Sequence, residues 1–207
     1  NPRLRQRAPL NLGRRGIKRQ TVIDDDAIAV ARPVPGDIAF AQIFLHRLDG
    51  AFQRVAIAAA YDLADCGDQV LPPLLRALAD ESEMTRRHAA YSLSAIGGPA
   101  VESLADLLPN ANPATRSDTA TILGDIGLAA ASALPALIEA ARDPHEQVRQ
   151  HAVEALGLVC QSSSTAVPTL IEALADEHAP VRRSAAFSLT RLGPHAEDAI
   201  AALELVL

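Results

Sequence analysis

Histidine and cysteine are the side chains of this 207-residue chain best suited to hold a metal or attack a substrate, and it has six of the first and two of the second. His46, His88, His145, His151, His178 and His195 form no His-x-x-x-His pair, and no spacing among them sets two on one helical face as a zinc site requires. His195-x-Glu197 matches the first half of a non-haem iron triad, but a three-residue string in a loop arises easily by chance. Cys66 and Cys160 are too few for a disulfide framework and too far apart to give a reason for pairing. Cys66 falls in an apolar column with Ile96 and Val159, which reads as an inert core thiol. No glycine-rich phosphate loop, nucleophile elbow or Cys-x-x-Cys is present, and Asp24-Asp25-Asp26 reads as a solvated charge run. These residues therefore assign no catalytic group, no metal site and no cofactor.

Composition bounds the remaining choices. At 49% hydrophobic and 21% charged, the chain is too apolar for a disordered protein. No run of 18 or more apolar residues occurs, so the sequence offers no membrane span, and with no signal peptide at its start a cytoplasmic protein is expected. The net charge of −6 conceals two regions. Arg3, Arg5, Arg7, Arg14, Arg15, Lys18 and Arg19 fall in the first twenty residues with no acid among them. Twelve basic and all twenty-five acidic residues occupy the rest, an acidic body that argues against nucleic acid as its partner. Residues 1–36, with Pro2, Pro9, Gly13, Gly16, Pro33, Pro35 and Gly36, read as a basic, loop-rich segment carrying one short strand over Ile28 to Ala31. Such a segment is a solvated tail or a strap over the acidic body, with a nucleic-acid or membrane-surface arm as the alternative, and is expected to be the end of a domain lying upstream.

The elements that must position any site come from an internal repeat beginning near residue 37. Leu71-Pro72-Pro73-Leu74-Leu75 returns as Val101-Glu102-Ser103-Leu104-Ala105, Leu134-Pro135-Ala136-Leu137-Ile138, Val167-Pro168-Thr169-Leu170-Ile171 and Ile200-Ala201-Ala202-Leu203-Glu204, at spacings of 30, 33, 33 and 33. An interleaved set places Leu63, Leu93, Leu123, Leu156 and Leu189 at spacings of 30, 30, 33 and 33, with apolar residues three and four apart around each. Each unit is thus two helices. The first of each pair is expected near 37–48, 69–79, 99–108, 130–141, 164–174 and 196–207. The second is expected near 51–66, 82–96, 113–126, 146–159 and 180–192. Gly67, Gly97, Gly127 and Gly193 close the second helices, with Cys160 standing once in that place. Pro72, Pro135 and Pro168 occupy the first turn of the first helix or kink it slightly. One pair buries too little apolar surface to stand alone, so the pairs must stack. The apolar end at Leu203-Glu204-Leu205-Val206-Leu207 leaves a last unit incomplete, and further repeats are expected after it.

Eight residues after each proline comes an aspartate, and six after that an arginine: Pro72-Asp80-Arg86, Pro135-Asp143-Arg149 and Pro168-Asp176-Arg182. This triplet resembles a HEAT repeat, particularly the bacterial HEAT-like type. The resemblance covers 37–207, about five helix pairs, and implies an all-α, right-handed solenoid of stacked antiparallel helix pairs, HEAT/armadillo-like. It also implies that Asp80, Asp143, Asp176, Arg86, Arg149 and Arg182 form a structural ladder along the stack. One unit departs, carrying Glu102, Asn110 and Arg116, and the pair around Asp49 departs further, with Val55 in the arginine place.

In HEAT-like arrays the second helices line the concave side. Taking the Ala89, Leu93 and Ile96 columns as buried sets Arg87, His88, Tyr91 and Ala95 on the opposite face. The Tyr91 column reads Tyr61, Tyr91, Thr121, Glu154 and Phe187, holding three of the six aromatics of the chain. Tyr61, Arg87, His88, Tyr91, His151, Arg183 and Phe187 are therefore the expected partner-binding residues, unless the rings only pack between neighbouring second helices. The expected role is a non-catalytic scaffold for another protein or another domain of its own chain. The resemblance implies a second role, since some bacterial HEAT-like proteins are phycobilin lyases that attach a tetrapyrrole to a partner's cysteine. A third is a substrate-positioning module of an upstream enzyme domain. HEAT-like DNA glycosylases share the fold, but a body without Trp and with net acidity speaks against that activity.

Overall fold

The computed structural model describes residues 70–161 and 163–199. The expected segment 1–36, the helices expected at 37–48 and 51–66, Tyr61, Cys66, the pair around Asp49 and residues 200–207 lie outside the described residues. Among the described residues the chain alternates short and long helices in an α-solenoid: α1 (Leu71–Ala77), α2 (Glu83–Ile96), α3 (Val101–Leu107), α4 (Pro113–Ile126), α5 (Leu134–Ala140), α6 (Glu146–Val159), α7 (Val167–Ala173) and α8 (Ala179–Leu192). The odd-numbered helices have 7 residues and the even-numbered ones 14, so each unit repeats almost residue for residue.

Local chemistry sets these boundaries. Pro72, Pro135 and Pro168 sit in the first turn of α1, α5 and α7, where the missing N–H costs nothing. The first helices begin two to four residues later than expected, because 3₁₀ turns over Gly98–Ala100 and Gly127–Ala133 occupy the approaches to α3 and α5. The first four residues of the helix expected from residue 196 lie in a 3₁₀ turn, Gly193–Ala199. Ser82 and Asn112 cap α2 and α4 by accepting the N–H groups of Thr85 and Thr115 at 3.4 and 3.0 Å. Gly97, Gly127 and Gly193 end their helices at φ of 69°, 67° and 54°, a left-handed conformation that suits glycine. Cys160 takes φ −100° instead and leaves α6 by a different turn, its thiol donating to the Ser163 carbonyl at 3.2 Å. The 30-residue spacing also has a local origin. The 3₁₀ turn after α2 has 3 residues where that after α4 has 7.

The core is one continuous strip. On the second helices it comprises Thr85, Ala89, Ser92 and Leu93 in α2; Thr115, Thr119, Ile122 and Leu123 in α4; Val148, Ala152, Ala155 and Leu156 in α6; and Val181, Ala185, Ser188 and Leu189 in α8. Leu74, Leu104, Leu137 and Leu170 of the first helices fill in against them with no exposed surface. The second helices pack on one another in order, most closely α4 with α6 and α6 with α8. Gly124 and Gly157 permit this. A Cβ on Gly124 would lie 3.2 Å from the Cα of Ala155, and one on Gly157 only 2.5 Å from the Cβ of Ser188. The stretch Pro113–Ala140 is apolar and long enough by composition to cross a membrane, yet the chain reverses inside it at Gly127. Its longest straight piece, α4, is about 21 Å at 1.5 Å per residue, short of the roughly 30 Å hydrocarbon core.

Candidate interaction face and arginine ladder

The fourth residue of each of the four described second helices is an arginine: Arg86, Arg116, Arg149 and Arg182. Each turns one guanidinium nitrogen back onto the turn that opens its own helix. Nη1 donates to Asp80 and Glu81 carbonyls from Arg86, to Ala111 from Arg116, to Asp143 and Pro144 from Arg149, and to Asp176 and Glu177 from Arg182, at 2.8 to 3.3 Å. The opposite edge reaches forward to the next unit. Arg116 grips Asp143 through Nε and Nη2 at 2.7 and 2.8 Å, and Arg149 grips Asp176 in the same way at 2.7 and 3.0 Å. Each aspartate also accepts a backbone N–H two residues on, from His145 or His178, at 2.8 Å. Burial would raise the Asp143 carboxyl, but the Arg116 and His145 hydrogen bonds hold it below its ordinary range. Asp176 is held down chiefly by Arg149, which is itself raised by that bond.

The structure thus joins Asp143 to Arg116, a residue absent from the expected ladder, and Asp176 to Arg149. Arg116 was legible: it stands 30 residues after Arg86 and 33 before Arg149. Asp80 accepts the Ser82 N–H at 2.8 Å, and Arg182 keeps its backward bonds. Arg86 meets no aspartate in the next turn. Asn110 stands there and donates back to the Asp106 carbonyl at 3.1 Å. The closest carboxylate to Arg86 is Asp118 of α4, at 3.8 Å.

The fifth and ninth residues of α2 and α8 form the most open part of the second-helix layer. Tyr91 is 39% exposed and Phe187 66%, and the exposed Arg87 and Arg183 stand one helical turn before them. Between them lie Thr121, exposed, and Glu154, which accepts from Gln150 at 3.1 Å and from the Ser184 hydroxyl at 2.6 Å. His88 is not part of this face. It is 7% exposed: its position and that of Ser92, itself 3% exposed, are the ones that in α8 face the preceding helix, through Ser184 on Glu154 and Ser188 on the Val153 carbonyl. His151, at the same position of α6, is half-buried with Nδ1 2.6 Å from the Ser117 hydroxyl of α4. His151 therefore belongs to the seam between α4 and α6. Among the described residues no three His, Cys, Asp or Glu side chains are placed to hold a metal ion.

Three overlapping segments of the chain, residues 41–123, 101–190 and 134–207, match the family model described as HEAT repeats. No curated protein matches the chain. Among solved structures, the complex of CpcE and CpcF of phycocyanin lyase from Nostoc sp. PCC7120 is similar at 23% identity and a TM-score of 0.54, over 73% of this chain and 99% of that one. A designed armadillo repeat protein in complex with the peptide (KR)4 is similar at 18% identity and a TM-score of 0.51, over 82% and 91%. An engineered protein is similar at 17% identity and a TM-score of 0.51, over 80% and 85%. At these identities the likeness is one of fold.

Proposed function

Because this chain belongs to the HEAT-repeat family, we propose that it is a non-catalytic scaffold that holds another protein, or another domain of its own chain, on its second-helix face. The observation that carries this reading is the pair of exposed aromatics, Tyr91 and Phe187, each one turn after an exposed arginine. Exposing two large rings beside guanidinium groups has a cost that folding alone does not reward, while a partner that buries them gains both apolar area and cation–π contact. Two of the structures similar in fold are themselves complexes, one with a second protein and one with a peptide. The binding set is then Arg87, Tyr91, Arg183 and Phe187, with Tyr61 as its extension, His151 at its border and His88 omitted.

The test is a double substitution, Tyr91→Ala with Phe187→Ala, in the full chain. A protein captured by the unaltered chain from its source lysate should be lost from the double variant, while the melting temperature stays nearly unchanged. Equal capture by both chains overturns the assignment. So does a large fall in melting temperature without a partner, which would make the rings packing residues.

A further inference from the structure

The seam between α2 and α4 holds a cleft of about 340 Å³ lined by Glu83, Arg86, Arg87, Ala90 and Asp118. It lies where the ladder misses a rung. The backward bonds of Arg86 match those of Arg116 and Arg149, so its Nε–Nη2 edge is the one that in those two residues grips a carboxylate. With Asn110 in the aspartate's place, that edge is left 3.8 Å from Asp118, beyond hydrogen-bonding distance. Asp118 does not replace the missing rung. Burial raises its carboxyl despite the pull of Arg86, the reverse of Asp143 and Asp176, so the contact satisfies neither partner well.

We propose that this cleft receives a carboxylate side chain of the partner protein, an Asp or Glu that completes the Arg86 rung from outside with Arg87 beside it. Four features favour an acid over other side chains: a planar guanidinium edge set for bidentate pairing, a second guanidinium next to it, entry from a face where Tyr91 stands one turn beyond Arg87, and room for a side chain. Glu83 is exposed, and Asp118 reaches the forward edge only at 3.8 Å from Nε, so an incoming carboxylate takes the place of that long contact. The proposal deepens the scaffold reading and rests on it, since it names the chemistry that the partner brings to this end of the face.

The test uses the full chain and a minimal probe whose only carboxylate is its side chain, N-acetylglutamate α-N-methylamide, followed by nuclear magnetic resonance of arginine Nε–H and backbone amide signals. The Arg86 Nε–H signal should move saturably, while those of Arg116 and Arg149, already paired, stay still. N-acetyllysine N-methylamide, which has no carboxylate, should move none of them. Asn110→Asp supplies the carboxylate internally. It should weaken the response of the Ala90 and Asp118 amides about tenfold while raising the melting temperature, a combination that damage to the fold cannot produce. Arg86→Gln should weaken the same response as much. A still Arg86 signal, an undiminished response in Asn110→Asp, a response to the lysine amide instead, or a response to inorganic phosphate alone each overturns the proposal. Any of these would leave the Tyr91 and Phe187 test standing, because that test reads partner capture and needs no carboxylate.

Discussion

The seam between α2 and α4 and the seams joining α4, α6 and α8 are built from the same fourteen-residue helix, yet they differ at every point where neighbours meet. On the α4–α6–α8 side, Gly124 faces Ala155, Gly157 faces Ser188, and bidentate rungs tie each unit to the next. On the α2 side, Ser94 stands at the glycine's position, and Ile122 stands where Ala155 and Ser188 do. The rung there is lost, the link to the next unit is three residues shorter, and a cleft opens. Helix length and core pattern therefore decide that units stack. How firmly two of them join is decided by a few residues at the contact line.

The largest expected effect is steric. Gly157→Leu should cost about 3 kcal/mol in chemical denaturation, since even a Cβ there would overlap Ser188. Ser94→Leu, in the open seam, should cost less than about 1 kcal/mol, and equal losses would mean that the seams do not differ in closeness. Next comes the ladder. Arg149→Ala leaves Asp176, whose side chain is 11% exposed, with a buried charge and no guanidinium, a loss of about 2 kcal/mol. Arg86→Ala loses its backward bonds, as Arg149→Ala does, but beyond them only a long contact between more open side chains, and should cost less, about 1 kcal/mol, in the same assay.

The smallest effect is one of sign, and it separates the seams by acidity. Asp143 and Asp176 are lowered in the fold, so their contribution is complete above the unfolded aspartate value of about 3.9 and is lost as pH falls through the lower folded values. Asp118 and Asp125 are raised, chiefly by burial, so their contribution is complete below about 3.9 and declines as pH rises through the folded values. Hydrogen exchange corrected for intrinsic rates should therefore show α6 and α8 losing protection on acidification relative to α2. Uniform loss along the array would contradict the contrast.

Much of this arrangement is legible in the sequence. The second helices expected at 113–126 and 146–159 match α4 and α6 end to end, because glycine closes one, Cys160 follows the other and apolar spacing fills both. First-helix starts are less legible, since Ala-rich stretches such as Gly127–Ala133 favour helix by composition yet form a 3₁₀ turn after a left-handed glycine. Arg116 was set aside because its unit lacks the proline and the aspartate. Its partner lies 27 residues ahead, and no reading confined to one unit could find it. His88 shows the limit of a single-helix wheel: the wheel places a side chain relative to its own helix, while its burial depends on which edges neighbouring helices cover.

The forward direction of each rung also governs how such a chain can grow or shrink. Both the guanidinium grip and the glycine contact link one unit only to its successor, in a register that repeats every 33 residues after Gly127. Excising residues 134–166 would bring Asp176 to Arg116, as Asp143 now stands, and Ser188 to Gly124, the glycine–serine contact that Gly157 now makes. Duplication would do the reverse. Genetic gain or loss of a whole unit in this part of the array thus changes the reach of its binding face while leaving every junction chemically matched.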